Sequence, residues 1–426
     1  MFVNAGSEDA LLAALSKPEG SRLQTRRSFL RLVAAGMSVA AASQLLAEVA
    51  VEPGGEAWAA EPIGPKDRIL VLVGLFGGND GLNTVVPTSD GRYYDLRGSL
   101  AIQPETTLRI DDDFGFNPNL PGLKSLYDEG RLAIVHGVGV PEYNLSHFVS
   151  MATWMTGSGR VADIGTGWIG RWLDEQVTAD LFTVGTIGTG LPLHLVGARR
   201  RGTTIPDGVE SFGARMSPRD RRLYEGIRSF AHIGGDRGAW HDAIAIAERS
   251  DVDVAEALTP ILTPPTSSGP LASKLVSAAR LINADIGFRI LDTALGGFDT
   301  HSNQAVDHAS RMKELDDGIQ QFFKTLEPSF VDRVVIMTYS EFGRVAWSNA
   351  SGGTDHGAAN SLFVIGPVDR GQYGVPLSLE SAARPNRIAA TTDFRSIYST
   401  VIDGCLGGGS SAILGEAFED LGIFRS

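Results

Sequence analysis

Apolar runs recur along the chain, and each ends in a polar or glycine-bearing turn. Ile69 to Phe76 is unbroken apart from Gly74 and opens into Gly77-Gly78-Asn79-Asp80-Gly81, the pattern of a strand buried on both faces that feeds a loop. Runs at Leu132 to Val138, Phe288 to Leu291, Arg333 to Thr338 and Leu362 to Ile365 are strand-like in the same way. Helical spacing comes between them. Phe148, Met151, Ala152 and Met155 fall at i, i+3, i+4 and i+7, and a second helical stretch runs from Met312 to Leu326. Strands alternating with helices predict an α/β fold with a mainly parallel central sheet and helices on both faces.

The N-terminal segment is patterned differently. Thr25-Arg26-Arg27-Ser28-Phe29-Leu30-Arg31 sets paired arginines before an apolar pair, Leu32 to Ala47 carries no charge, and Ala57-Trp58-Ala59 offers small residues where a signal peptidase reads them. Residues 1–60 are expected to be a twin-arginine signal, with the twin-arginine translocase as a transient partner and a periplasmic or secreted mature chain. The uncharged stretch falls short of the ~20 residues of a membrane span, so no stable span is expected after cleavage. Residues 61–426 are expected to form one α/β domain, interrupted near 205–273 by a helical insertion with the Pro-rich connection Thr263-Pro264-Pro265-Thr266.

Composition narrows the field at two points. A net charge of -13 argues against a nucleic-acid partner. Cys405 is the only cysteine, so no intrachain disulfide forms and stability rests on the core.

Candidate chemistry gathers at the expected strand ends. Asp80 follows the first run, Asp299 and His301 stand in Gly297-Phe298-Asp299-Thr300-His301, Glu341 in Ser340-Glu341-Phe342-Gly343-Arg344, and Asp355 and His356 precede Gly357. In an open α/β sheet the loops at the carboxyl ends of the strands converge on one crevice. Carboxylates and imidazoles collected there need a cation between them, and mixed oxygen and nitrogen ligation suits one or two divalent ions drawn from Zn, Mn, Mg or Ca. Each motif alone reads equally well as a capped turn; the recurrence at strand ends points to metal. Ser146 stands in the first turn of the helix that starts near Phe148, where its hydroxyl either caps a free N–H or faces a bound anion.

The mature chain resembles the exported bacterial proteins grouped as domain-of-unknown-function family 1501, through Leu75 to Asn83, Ser146-His147-Phe148, Gly167-Trp168-Ile169-Gly170-Arg171 and the three later motifs. That family looks like a branch of the alkaline phosphatase and sulfatase superfamily. The resemblance implies an alkaline-phosphatase-like fold and a metal-dependent hydrolase of phosphate or sulfate esters, small or polymeric. On the implied layout Asp80 and Glu341 hold one ion, Asp299, His301 and His356 hold the other, and Asp355 stands beside them. Ser146 is the implied nucleophile, and His147 or Arg344 steadies the developing negative charge. Phe342 stands where the superfamily has a histidine, which leaves the Asp80 and Glu341 pair oxygen-rich and suited to Mg, Mn or Ca.

Two other readings compete. Gly78-Asn79-Asp80 is similar to one block of the four-block serine esterases, but the mature chain lacks their upstream nucleophile block and C-terminal Asp-X-X-His. A protein that keeps the fold, has lost catalysis and serves as an envelope binding or assembly factor is the rival of a different class, favoured by Phe342.

Overall fold

A computed structural model describes residues 63–159, 165–188, 190–205, 269–380 and 382–424, with isolated positions between 206 and 268. The expected signal and nearly all of the expected insertion lie outside the described residues. The strands are β1 (Ile69–Phe76), β2 (Val85–Pro87), β3 (Leu108–Arg109), β4 (Phe114–Phe116), β5 (Leu132–Gly139), β6 (Val184–Ile187), β7 (Thr203–Ile205), β8 (Ile290–Gly296), β9 (Val334–Tyr339), β10 (Ala359–Ile365), β11 (Gly371–Gly374) and β12 (Thr392–Asp393). The helices used below are α1 (Gly81–Thr84), α2 (Gly91–Arg97), α3 (Pro121–Asp128), α4 (His147–Thr156), α5 (Trp168–Glu175), α6 (Pro270–Asn283), α7 (Gln304–Thr325) and α8 (Phe394–Cys405).

The main sheet runs β11-β5-β10-β9-β1-β8-β6-β7, with β12 also on β5, and β2, β4 and β3 form a small separate sheet. β1 is flanked by parallel neighbours, β8 and β9, whereas β10 is antiparallel to both β9 and β5. This arrangement brings the chemistry to one edge. The loops that leave β1, β8 and β9 carry Asp80, Asp299 and Glu341 out at the same end, and the reversed β10 starts there, just after His356.

Alternation along β1 explains why it is central. Ile69, Val71, Val73 and Leu75 feed one core while Leu70 and Leu72 feed the other, as a period of two requires of a strand buried on both faces. Leu123 of α3, Leu275 of α6 and Met312, Leu315 and Ile319 of α7 fill the first core; Trp168 and Trp172 of α5 and Ile397 and Val401 of α8 fill the second. Each such side chain contributes roughly 1.5–3 kcal/mol by leaving water. The expected α/β class, the mainly parallel sheet and the helices on both faces are what the chain forms. The five expected strands are present, with β8 extending to Gly296. The short strands β6, β7, β11 and β12, two to four residues long, carry too little alternation to be read from sequence.

Helix α4 departs from its pattern. Part of the apolar stripe faces outward, with Phe148 89% exposed and Ala152 and Met155 half-buried; Met151 packs on the second core, and Ser150, Thr153, Trp154 and Thr156 are buried. Trp154 decides this orientation by packing against Tyr339, Phe394 and Tyr398 in the second core. The buried hydroxyls cost little, since Thr153 and Thr156 donate to Val149 O and Thr153 O at 3.0 Å within the helix.

The loop after β1 plugs into a buried polar network. Asp80 caps α1, and its carboxylate takes both arms of the Arg97 guanidinium at 2.6 and 2.7 Å and a bond from Gln304. Beside it, His308 Nε2 donates to Asn79 Oδ1 at 3.0 Å. Burial holds the His308 imidazole neutral by lowering its pKa to about 4. Between pH 6.5 and 4 the unfolded chain takes up a proton that the folded protein refuses, so stability falls as pH falls through that window, by about 3 kcal/mol from this group. Urea midpoints measured from pH 7 to 4 are expected to show that loss, and His308→Gln to lack it.

Candidate metal centre

One guanidinium ties the strand-end loops together. The Arg344 side chain is fully buried, donating from Nε to Gly78 O at 2.8 Å, from Nη1 to Thr354 O at 2.9 Å, and from Nη2 to Gly77 O, Phe298 O and Asp299 Oδ1. The loops after β1, β8 and β9 and the segment before β10 are thereby fixed to one point. Glycine permits the approach. Gly77, at φ +116°, is so close to the 298–299 backbone that a Cβ there would meet Phe298 C at 2.8 Å.

Around that point sit four side chains. Asp299 Oδ1 lies 3.0 Å from His301 Nε2 and 3.0 Å from His356 Nε2, and those two nitrogens are 3.0 Å apart. His147 Nε2 faces the other oxygen, Oδ2, at 3.5 Å. Donor atoms of His147, Asp299 and His356 all lie within 4.8 Å of one another, and His301 joins them through its contacts to the last two.

The far side of each ring settles its tautomer. His356 Nδ1 is 2.9 Å from Leu145 O, a carbonyl that only accepts, so Nδ1 carries the hydrogen. His147 Nδ1 meets Glu341 Oε1 at 2.8 Å, and His301 Nδ1 meets Asp355 Oδ1 at 3.3 Å, carboxylates that accept in the same way. In the neutral form of each ring, Nε2 then turns a lone pair toward Asp299. His301 Nε2, His356 Nε2 and Asp299 Oδ1, mutually 3.0 Å apart, repel unless a cation or a shared proton stands among them. Ligands of one tetrahedral ion at about 2.0–2.1 Å lie roughly 3.3 Å apart, so the spacing fits a single ion. Oxygen acceptors behind each imidazole are also the usual support of ligating histidines.

Electrostatics favour the same picture. Burial pushes the Asp299 pKa up, but the hydrogen bond and the charge of Arg344, together with the imidazoles beside it, hold the carboxyl down at about 2. Asp299 remains an anion at any physiological pH. The group is open to solvent, with the Asp299 and His301 side chains 47% and 45% exposed.

Several expected roles shift. Asp299, His301 and His356 come together. Asp80 does not join them: its carboxylate is buried and already neutralised by Arg97. Glu341 is buried and turned to Gly77 N at 2.8 Å and to the His147 ring, so it orients a ligand candidate where it was expected to be one. The expected second, oxygen-rich site is therefore absent among the described residues. Asp355 stands behind His301, beside the cluster as expected. Arg344 spends its donors on carbonyls and Asp299, which leaves it a scaffold and not a stabiliser of charge on a substrate.

Ser146 is the N-cap of α4, half-buried, and its hydroxyl makes no capping bond. Its neighbours on both sides touch the group, Leu145 through its carbonyl and His147 through its ring. Sequence reasoning assigned His147 to charge stabilisation and missed its place among the imidazoles; its adjacency to Ser146 was the available signal. Nothing in the sequence pattern marks Arg97, Gln304 or the Leu145 carbonyl. The Phe342 ring packs on the His147 and His356 rings at 4.8 and 4.5 Å between centroids.

Residues 133–390 match the model of a family described as a protein of unknown function, DUF1501. The chain belongs to that family. In this DUF1501 protein the whole convergent group lies inside the matched span, whereas Asp80 and Arg97 precede it. No curated protein matches the sequence. Similar solved structures include the lipoteichoic acid synthase LtaP from Listeria monocytogenes, at 9% identity and TM-score 0.38 over 85% of this chain and 76% of that one. A protein in the alkaline phosphatase superfamily from Vibrio parahaemolyticus matches at 12% identity and TM-score 0.39 over 99% and 79% of the two chains. The alkaline phosphatase from the Antarctic bacterium TAB5 matches at 12% identity and TM-score 0.33 over 72% and 92%.

If the acceptor behind each ring sets its donor, Asp355→Ala weakens zinc or manganese binding by about 10-fold or more in calorimetric titration. The thermal midpoint of the metal-free protein stays put, because Asp355 is about half exposed. Unchanged affinity would place His301 outside the coordination set.

Proposed function

We propose that this DUF1501 protein is an exported, metal-dependent hydrolase of phosphate or sulfate esters in which Ser146 is the nucleophile. The observation that carries the reading is the aiming of three imidazole Nε2 atoms, each backed by an oxygen acceptor at Nδ1, at one anionic carboxylate beside a serine at a helix start. Nitrogen-rich donors of this kind suit zinc better than manganese, magnesium or calcium. A divalent ion held by Asp299, His147, His301 and His356 would supply positive charge against the ester oxygens and favour ionisation of a nearby hydroxyl.

The chain's own residues account for the rest. The Ser146 hydroxyl is free of a capping bond and able to turn toward an ester. Its oxygen forms the new bond to phosphorus or sulfur as the ester oxygen leaves, and water then cleaves the seryl ester. The first N–H groups of α4 have no helical carbonyl to bond, and a helix start favours a negatively charged oxygen. Glu341, Asp355 and Leu145 O hold the rings in the tautomer that keeps Nε2 unprotonated. The twin-arginine route belongs to the same reading, since ligands from segments as distant as 147 and 356 meet only in a folded chain.

A second reading, a binding protein without catalysis, draws support from Asp80 and Glu341. Both are engaged elsewhere, which leaves one ion position where the superfamily layout implies two. Metal analysis of the purified mature protein followed by aryl phosphate and aryl sulfate assays separates the readings. The hydrolase reading expects about one equivalent of transition metal and a turnover that Ser146→Ala lowers by roughly a thousand-fold with the metal retained. Metal without turnover supports the binding protein; neither metal nor turnover with any divalent ion rejects the hydrolase.

A further inference from the structure

Helix α4 carries the candidate nucleophile at its start and, along its outer face, an apolar row of one exposed and two half-buried side chains. Phe148 is 89% exposed, the second most exposed of the large hydrophobic side chains among the described residues, and the half-buried Ala152 and Met155 continue its row at i+4 and i+7. Tyr143, also exposed, stands in the loop that leads into the same helix. A helix ordinarily turns such a stripe to the core. Here Trp154 has claimed the core side, so the stripe is left outside, beginning one residue after His147.

We infer that the substrate is an amphiphile, an anionic ester whose head group meets the Asp299 cluster and whose single apolar chain lies along Phe148, Ala152 and Met155. The inference rests on the hydrolase reading and names its substrate class. Continuity carries it: the stripe starts where the site ends, in the same helix, so one molecule reaches both. Charge separates the two ends, with the imidazoles and the helix start facing the anion and no charged side chain between Phe148 and Met155. Residues 148 to 155 cover about 10 Å of helix, room for an alkyl chain of about eight carbons.

The test is calorimetric binding of n-alkyl phosphonates, from methyl to dodecyl, to the zinc-loaded mature protein, which needs no turnover. Affinity is expected to rise about twofold per methylene, since only one side of the chain is covered, and to level off near eight carbons. Phe148→Ser with Met155→Gln, both on the outer face and outside the catalytic group, is expected to flatten that rise while leaving methyl phosphonate binding unchanged. Binding that is tight but independent of chain length overturns this inference and leaves the hydrolase reading standing. Failure of every phosphonate to bind overturns both. A concentration-dependent dimer abolished by Phe148→Ser would mean that a second copy covers the stripe, and would also overturn it.

Discussion

The Arg344 guanidinium is the constraint on which the rest depends. Its donors hold Gly77, Gly78, Phe298 and Thr354 by their carbonyls and Asp299 by its carboxylate, so loops far apart in sequence share one anchor. A buried cation of this kind is tolerable only when every donor is satisfied and an anion is near, and removing it would cost about 3–5 kcal/mol. Fixing Asp299 in this way also fixes where its carboxylate can serve. The imidazoles converge on that carboxylate because the sheet delivers their loops to one edge and the arginine stops the loops from spreading.

A second buried ion pair, Asp80 with Arg97, performs the same service for the loop after β1. The two pairs divide the labour. One carboxylate is enclosed, capped and neutralised; the other is half exposed, held anionic and left with an oxygen facing His147. The contrast explains why Asp299 is open to a cation and Asp80 is not.

Much of this was legible in the sequence. The five long apolar runs gave β1, β5, β8, β9 and β10, and the polar residues after or before them gave Asp299, His301 and His356. Pairings between segments were not legible. Arg97 lies in a short helix with nothing to mark it as Asp80's partner, and His147 differs from any other helical histidine only by what its ring meets in space. The outward stripe of α4 escaped for a related reason. Periodicity identifies a face but not the direction it points, and the choice was made by Trp154 and its aromatic neighbours from distant strands and helices.

Whether the four side chains act as one centre is open to direct measurement. X-ray absorption spectroscopy of the zinc-loaded mature protein reads the donor atoms without depending on any substrate. The account predicts a four-coordinate shell at about 2.0–2.1 Å with three imidazole nitrogens, their number reduced by one in His356→Ala. An all-oxygen shell, or one that His356→Ala leaves unchanged, would contradict it.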